Sequence, residues 1–324
     1  MKAMVYTKYG SPDVLQLKEV EKPTPGDHEV LIKVQAVSLN AADWHMLTAD
    51  IFPVRLMSGL FAPHKPILGL DIAGKVEAVG SGVNQFKAGD EVFGDISFRG
   101  SGGLAEYATA PESFLVLKPA NLTFEQAAAV PVAAVTALQG LRDLGRIQAG
   151  QKILINGASG GVGTFAVQLA KAFGAEVTAV CSARNMNQAR SLGAEHVIDY
   201  DRTDFTQNGQ QYDLILGVNG YHPIAAYRRA LAPEGIYVMT GGKPAQLFQA
   251  LLLGPLFSQK GGRKLCSLSA QPSQKDLVFL KEWLETGMLT PVIDRVFPFV
   301  ETPDAFRYLG TGHARGKVVI TGAA

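Results

Sequence analysis

The sequence predicts an α/β protein of two domains: a doubly wound parallel sheet inserted into a β-rich, barrel-like module whose chain leaves and later returns. Three observations carry that expectation. From Met1 to about Lys118 short β runs broken by Gly and Pro follow one another, among them "EVLIKVQAVSL", "IAGKVEAVG", "DEVFGDI", "GLAEYATA" and "FLVL", the spacing of a compact β module. From "TFEQAAAVPVAAVTALQGL" onward strand and helix patterns alternate: "KILING" before "GVGTFAVQLAKAFG", "EVTAVCS" before "NQARSLG", then "HVIDY", "YDLILGVN", "PIAAYRRAL" and "GIYVMTG". Such alternation means βαβ units and a parallel sheet. After "KLCSLSA" come a helix "SQKDLVFLKEWLETG", a strand around "TPVIDRVFPF", a helix "ETPDAFRYLG" and a final strand "GKVVITG", which read as a return to the first domain. The boundaries fall near 120 and 265, assigning 1–120 and 266–324 to the β-rich domain and 121–265 to the parallel sheet. A chain of 324 residues with 47% apolar content supplies both cores.

Charge and composition narrow the partners. Thirty basic and 29 acidic residues, net +1, leave no electrostatic footprint for nucleic acid or an anionic membrane, so small molecules are the expected partners. Cys181 and Cys266 are the chain's two cysteines. They cannot build a disulfide framework or a four-thiolate zinc lobe, which fits a reducing compartment. The start "MKAMVYTKYG" alternates like a strand and lacks the apolar core of a signal peptide, so a cytoplasmic protein is expected. The apolar patch "AQLFQALLLGPLF" from Ala245 is shorter than a membrane span and contains Pro255, and it reads as a surface helix or contact face.

Chemistry enters at "NGASGGVG", between a strand and an amphipathic helix. Backbone N–H groups at a helix start attract a pyrophosphate, which marks Ser159, Gly160, Gly161 and Val162 as dinucleotide-binding. The pattern G-x-G-x-x-G registers on Ala158, Gly160 and Gly163, with Gly157 just before. A tight turn that binds nothing is the alternative. Some 20 residues on, where a carboxylate would grip a ribose diol, the chain reads "CSARN" and has no acid. Ser182 and Arg184 instead suit a 2′-phosphate, which cationic and hydroxyl donors hold and a carboxylate repels, and Asn185 of the same turn is counted with the cofactor-binding residues. One charge-assisted hydrogen bond, roughly 1.5–3 kcal/mol, gives about one to two decades of preference for NADPH over NADH. Tyr200, ending "HVIDY", flanks the adenine ribose or simply packs.

The whole set of segments resembles the medium-chain dehydrogenase/reductase superfamily, in its zinc-independent quinone oxidoreductase and enone reductase branch. The markers are "GSPDVLQLKEVEKPTPGDHEVLIKV", "SLNAADW", "LGLDIAGKVEAVGSGVNQFKAGDEV", "GGLAEYA", "EQAAAVPVAAVTALQGL", "GASGGVGTFAVQLAKAFGAEV" and "GHARGKVVI". It is particularly similar to the subset with "CxARN" after the second strand, which includes plant chloroplast-envelope quinone oxidoreductase-like proteins. The resemblance implies a Rossmann sheet, a split GroES-like barrel, hydride transfer from nicotinamide C4 across an interdomain cleft, and a homodimer joined at sheet edges, with "KLCSLSA" as that edge. Zinc-dependent members carry Cys at the position of Asn40, His-Glu at Leu70-Asp71 and a further thiolate near Val132. None is kept, so no metal is expected.

Without a Lewis acid, acceptors that delocalise their own charge are favoured, namely quinones and α,β-unsaturated carbonyls. The resemblance places Asn40 against nicotinamide or substrate and Thr136 beside the nicotinamide. His45 stands where relatives often have a Tyr, and it either donates a proton to the oxyanion or is a partly exposed loop histidine. Asp43 is expected to fix its loop through the backbone, and Tyr107 to be barrel core. Phe52, Leu56, Met57, Leu60 and Phe61, within Met46–Pro66, form a lid over a lipophilic substrate or pack on the module. Two rival readings are a zinc-free alcohol or ketone dehydrogenase and a non-catalytic NADPH-binding protein.

Overall fold

A computed structural model describes residues 1–97, 102–242, 245, 246, 248, 249, 258 and 262–322. The chain divides into two compact units, Met1–Val132 with Pro272–Gly287 and Pro291–Ala324, and Ala133–Gln271 with Met288–Thr290.

The first unit is built on β3 (Glu29–Leu39), whose alternating apolar residues Val30, Ile32 and Val34 are fully buried. Register shifts after Leu31 and Val34 bend the strand, so Val37 and Leu39 also face inward. β3 pairs with β4 (Asp71–Val79), β6 (Tyr107–Pro111) and the returning C-terminal strand β15 (Lys317–Thr321), all antiparallel. Beyond β4 lie β5 (Glu91–Asp95) and β7 (Leu115–Leu117), and beyond β15 lies β14 (Ile293–Pro298). β1 (Lys2–Val5) and β2 (Gln16–Glu19) make a separate antiparallel pair. Leu68, Ile72, Val92, Leu115, Phe306 and Val318 fill the core between these strands. The unit extends past the boundary expected near 120 because α3 (Phe124–Ala128) packs on β3 and β4. That helix starts at a capping box in which Thr123 and Gln126 satisfy each other's backbone N–H groups.

The second unit holds a six-stranded parallel sheet among its described residues. Its strands are β8 (Lys152–Asn156), β9 (Glu176–Cys181), β10 (His196–Asp199), β11 (Tyr212–Gly217), β12 (Leu231–Met239) and β13 (Lys264–Ser267). Their spatial order is β10-β9-β8-β11-β12-β13, the doubly wound arrangement in which the winding reverses between β8 and β11. Ligands of such sheets sit outside the carboxyl ends of the strands at that reversal. α5 (Gly161–Ala172) packs on β8 and β9, α6 (Met186–Ser191) on β10, and α7 (Ile224–Ala230) on β12. Among the described residues β13 is the last strand of the sheet, and it opens "KLCSLSA". Most of the apolar patch after Ala245 lies outside the described residues. Among those described, no helix is long and apolar enough to cross a membrane.

Candidate functional site

Two clusters carry chemistry, one in each unit. In the second unit, β8 ends at Asn156 and the chain turns at Gly157, whose φ of +91° is left-handed backbone that favours glycine. The N–H groups of Gly157 and Ala158 both donate to the Val180 carbonyl at 3.1 Å, pinning the loop to β9. A Cβ on Gly163 would stand 2.1 Å from the Gly157 carbonyl oxygen, so this glycine is what lets α5 seat against the loop. Gly160 caps α5, and a Cβ there would meet only the Gly157 oxygen, at 4.0 Å. Its outer face is open, next to the unsatisfied N–H groups of the first turn at Gly161 and Val162.

The "CSARN" turn closes on this loop. Asn185, 4% exposed, donates from Nδ2 to Ser159 Oγ at 3.0 Å and to Ser182 Oγ at 3.2 Å. Its Oδ1 is buried with no partner among the described residues. Ser159, Gly160, Ser182 and Asn185 are thus brought together, with Arg184 exposed on the same turn. The backbone N–H of Tyr200 donates to the Cys181 carbonyl, which puts Tyr200, 53% exposed as a residue, beside that turn. Thr136 is buried in α4 (Pro131–Leu138) and takes no part in the cluster. Burial pushes the Cys181 thiol up, so it sits inert beneath the turn. A polar hollow of about 360 Å³ lined by Arg146, Gln151, Asp213 and Glu234 lies at the amino ends of β8 and β11, away from the glycine loop.

In the first unit, β3 runs into Asn40, the cap of α1 (Ala41–Thr48). Asp43, fully buried, accepts the N–H of Asn40 at 2.9 Å and that of Gly69 at 3.0 Å, the backbone-fixing job expected of it. Burial pushes its carboxyl up to about 7, against the opposing pull of those two N–H groups. The Asn40 side chain is held on both sides: Nδ2 donates to Asp71 Oδ2 at 2.9 Å, and Oδ1 accepts from Lys317 Nζ at 2.5 Å. Asp71, the first residue of β4, takes the Val132 N–H on Oδ1 at 2.9 Å, and Lys317 Nζ lies 3.3 Å from its Oδ2. Burial pushes the Asp71 carboxyl up, opposed first by the Lys317 ammonium and then by Asn40 and Val132. Across the β4–β5 ladder stands Asp95, raised to about 6 by burial and by the charge of Asp71.

Two residues differ from their expected settings. His45 lies on helix α1, not in a loop, and its Nδ1 is 2.7 Å from Asp50 Oδ1. Tyr107 is half-buried, not core, because it opens β6 with its ring under the Lys22 ammonium at 3.7 Å. Phe52 and Leu56 on α2 (Phe52–Ser58), and Leu60 and Phe61 after it, are exposed, Phe61 by 89%. The side chain of Met57 lies outside the described residues. Lys317, Asp95 and Asp50 escaped the sequence reading. Lys317 did leave a signal: a charged residue opening the otherwise apolar strand "KVVIT". Among the described residues no three His, Cys, Asp or Glu side chains converge as metal ligands would.

Comparison with known proteins adds two family matches, "Alcohol dehydrogenase GroES-like domain" over residues 26–120 and "Zinc-binding dehydrogenase" over residues 192–320. The "Chloroplast envelope quinone oxidoreductase homolog" of Arabidopsis thaliana is 36% identical, covering 99% of this chain and 98% of its own. The "NADPH-dependent alkenal/one oxidoreductase, chloroplastic" of the same plant is 35% identical over 99% of this chain and 79% of its own. The quinone oxidoreductase structure from Coxiella burnetii superposes with a TM-score of 0.89 at 32% identity, over 99% of both chains.

Proposed function

Because the chain belongs to the medium-chain dehydrogenase/reductase superfamily, among its quinone and alkenal/one oxidoreductases, we propose that it is an NADPH-dependent reductase of quinones or α,β-unsaturated carbonyl compounds that works without a metal. The observation that carries the cofactor part is the Asn185 tie between Ser159 and Ser182. It presents two hydroxyls, the open face of Gly160 and the start of α5 to one ligand, with no carboxylate at the end of β9. The first turn of α5, at Gly160, Gly161 and Val162, would take the pyrophosphate, with Ser159 Oγ beside it. Ser182 and Arg184 would take the 2′-phosphate, and Tyr200 the edge of the adenosine. Thr136 would lie against the nicotinamide.

The bound reduced nicotinamide supplies a hydride. Asn40, gripped by Asp71 and Lys317, offers a fixed amide rather than an acid or base. His45, with Nδ1 held by Asp50, keeps Nε2 for a hydrogen bond or proton to the acceptor's oxygen. Quinol and enolate anions spread their charge, so positioning in an apolar setting suffices. The exposed Phe52, Leu56, Leu60 and Phe61 suit a lipophilic acceptor. The edge strand β13 supports a homodimer, and two free cysteines support a reducing, cytoplasmic setting.

Cofactor oxidation by chelator-treated protein, with NADPH or NADH and a quinone or an enone, tests the reading. Turnover with NADPH that survives the chelator is the expected result. Equal use of NADH would remove the phosphate clamp, and silence with every acceptor would move the protein to a non-catalytic NADPH-binding role.

A further inference from the structure

The family match over residues 192–320 implies zinc, and the buried cluster of the first unit does not fit it. Positions 40, 70, 71 and 132 carry Asn, Leu, Asp and Val, a set with one carboxylate, one amide and neither thiolate nor imidazole. Both cysteines belong to the second unit. Asp71 is largely used up as a ligand, since Oδ2 accepts from Asn40 and lies against Lys317 while Oδ1 accepts the Val132 N–H, which leaves one lone pair of the carboxylate. Against both Asn40 Oδ1 and Asp71 Oδ2 lies the ammonium of Lys317, a residue only 3% exposed, and a divalent ion brought there would meet a like charge in the core.

We propose that Lys317 is the resident cation of this site: its ammonium replaces the metal as the partner of Asp71 and acts on the reaction as a positioning residue, by fixing Asn40. The orienting argument follows from donor and acceptor types. Lys317 can only donate and the ionised Asp71 can only accept. An amide between them has one satisfied orientation, carbonyl to Lys317 and NH₂ to Asp71, and that is the one observed. Asp43, which holds the N–H of Asn40, fixes the backbone of the same residue. The amide is therefore constrained at both ends before any ligand arrives.

The catalytic readout rests on the reductase reading, whereas the binding readout does not. Three proteins suffice: the wild type, Lys317→Met, and Lys317→Met/Asp71→Asn. The single variant leaves a carboxylate alone in the core and can fail to fold; the double variant removes both charges and keeps the shapes. The first measurement is Co²⁺ uptake by equilibrium dialysis and visible absorption. The wild type should take up no stoichiometric Co²⁺, and one equivalent bound by the wild type but lost in Lys317→Met/Asp71→Asn overturns the proposal whatever the activity. The second is steady-state turnover of NADPH with a quinone, beside NADPH affinity from fluorescence titration. The double variant should lose roughly tenfold or more in kcat while its NADPH Kd moves by less than about twofold. An unchanged kcat overturns the positioning role. If the wild type itself reduces no acceptor, the reductase reading fails and the Co²⁺ result still decides whether Lys317 has replaced the metal.

Discussion

Replacing Asp43 by Asn or Ala should destabilise the first unit in proportion to the backbone groups it orphans. The Asp43 carboxylate closes the N–H groups of Asn40 and Gly69, and the side chain is 0% exposed. A buried donor left without its acceptor costs about 1–3 kcal/mol. Asn keeps one acceptor oxygen, so Asp43→Asn should lose about 1–3 kcal/mol and Asp43→Ala roughly 2–6 kcal/mol, out of a total near 5–15 kcal/mol for a domain. Urea denaturation followed by tryptophan fluorescence isolates the effect, because both tryptophans, Trp44 and Trp283, lie in this unit. The pH dependence supplies an independent check. Folding raises the Asp43 carboxyl from 3.8 to about 7, so between those values the folded state keeps a proton that the unfolded chain has released. The Asp43 contribution to stability therefore falls as pH rises through that window, and the Asn variant lacks this part of the slope. Its deficit should be largest near pH 5 and shrink by pH 8. Asp95, raised to about 6, contributes the same sign in both proteins and cancels from the difference. A variant within about 0.5 kcal/mol of wild type from pH 5 to 8 would refute the accounting, since it would mean those N–H groups find other partners.

The glycines of the loop should separate by role: Gly163→Ala, with its Cβ 2.1 Å from the Gly157 oxygen, should unfold the loop and lower the melting temperature. Gly160→Ala should leave the melting temperature of the free protein near wild type and weaken NADPH, as fluorescence titration would report. Arg184→Ala should weaken NADPH by about one to two decades and NADH hardly at all, and equal losses would discard the phosphate assignment. His45→Phe should lower turnover with an enone, and Asp50→Asn, which removes a carboxylate oxygen beside Nδ1, should lower it less in the same assay; unchanged turnover in both would take the pair out of the chemistry.

How much of this was legible in the sequence depended on the distance over which each signal acts. Period-two and βαβ patterns are local, so the β-rich module, the parallel sheet and the returning strand could be read from runs of a few residues. The cap by Asp43 was legible for the same reason, because its partner Asn40 lies three residues away. Asn185 was visible as part of "CSARN", yet its tie to Ser159 spans 26 residues and depends on β8 and β9 lying side by side. Lys317 is the extreme case. Its contacts with Asn40 and Asp71 cross 277 and 246 residues and form only when β15 pairs with β3 and β3 with β4. No local pattern encodes that meeting, although each partner broke its own local rule: an amide ending an apolar strand, an acid opening one, a lysine opening another. A polar residue inside an apolar run must find partners once buried. Three such violations on strands that the sheet makes neighbours therefore point to one shared site, and that is how a buried cluster of this kind can be sought in a sequence before its structure is known.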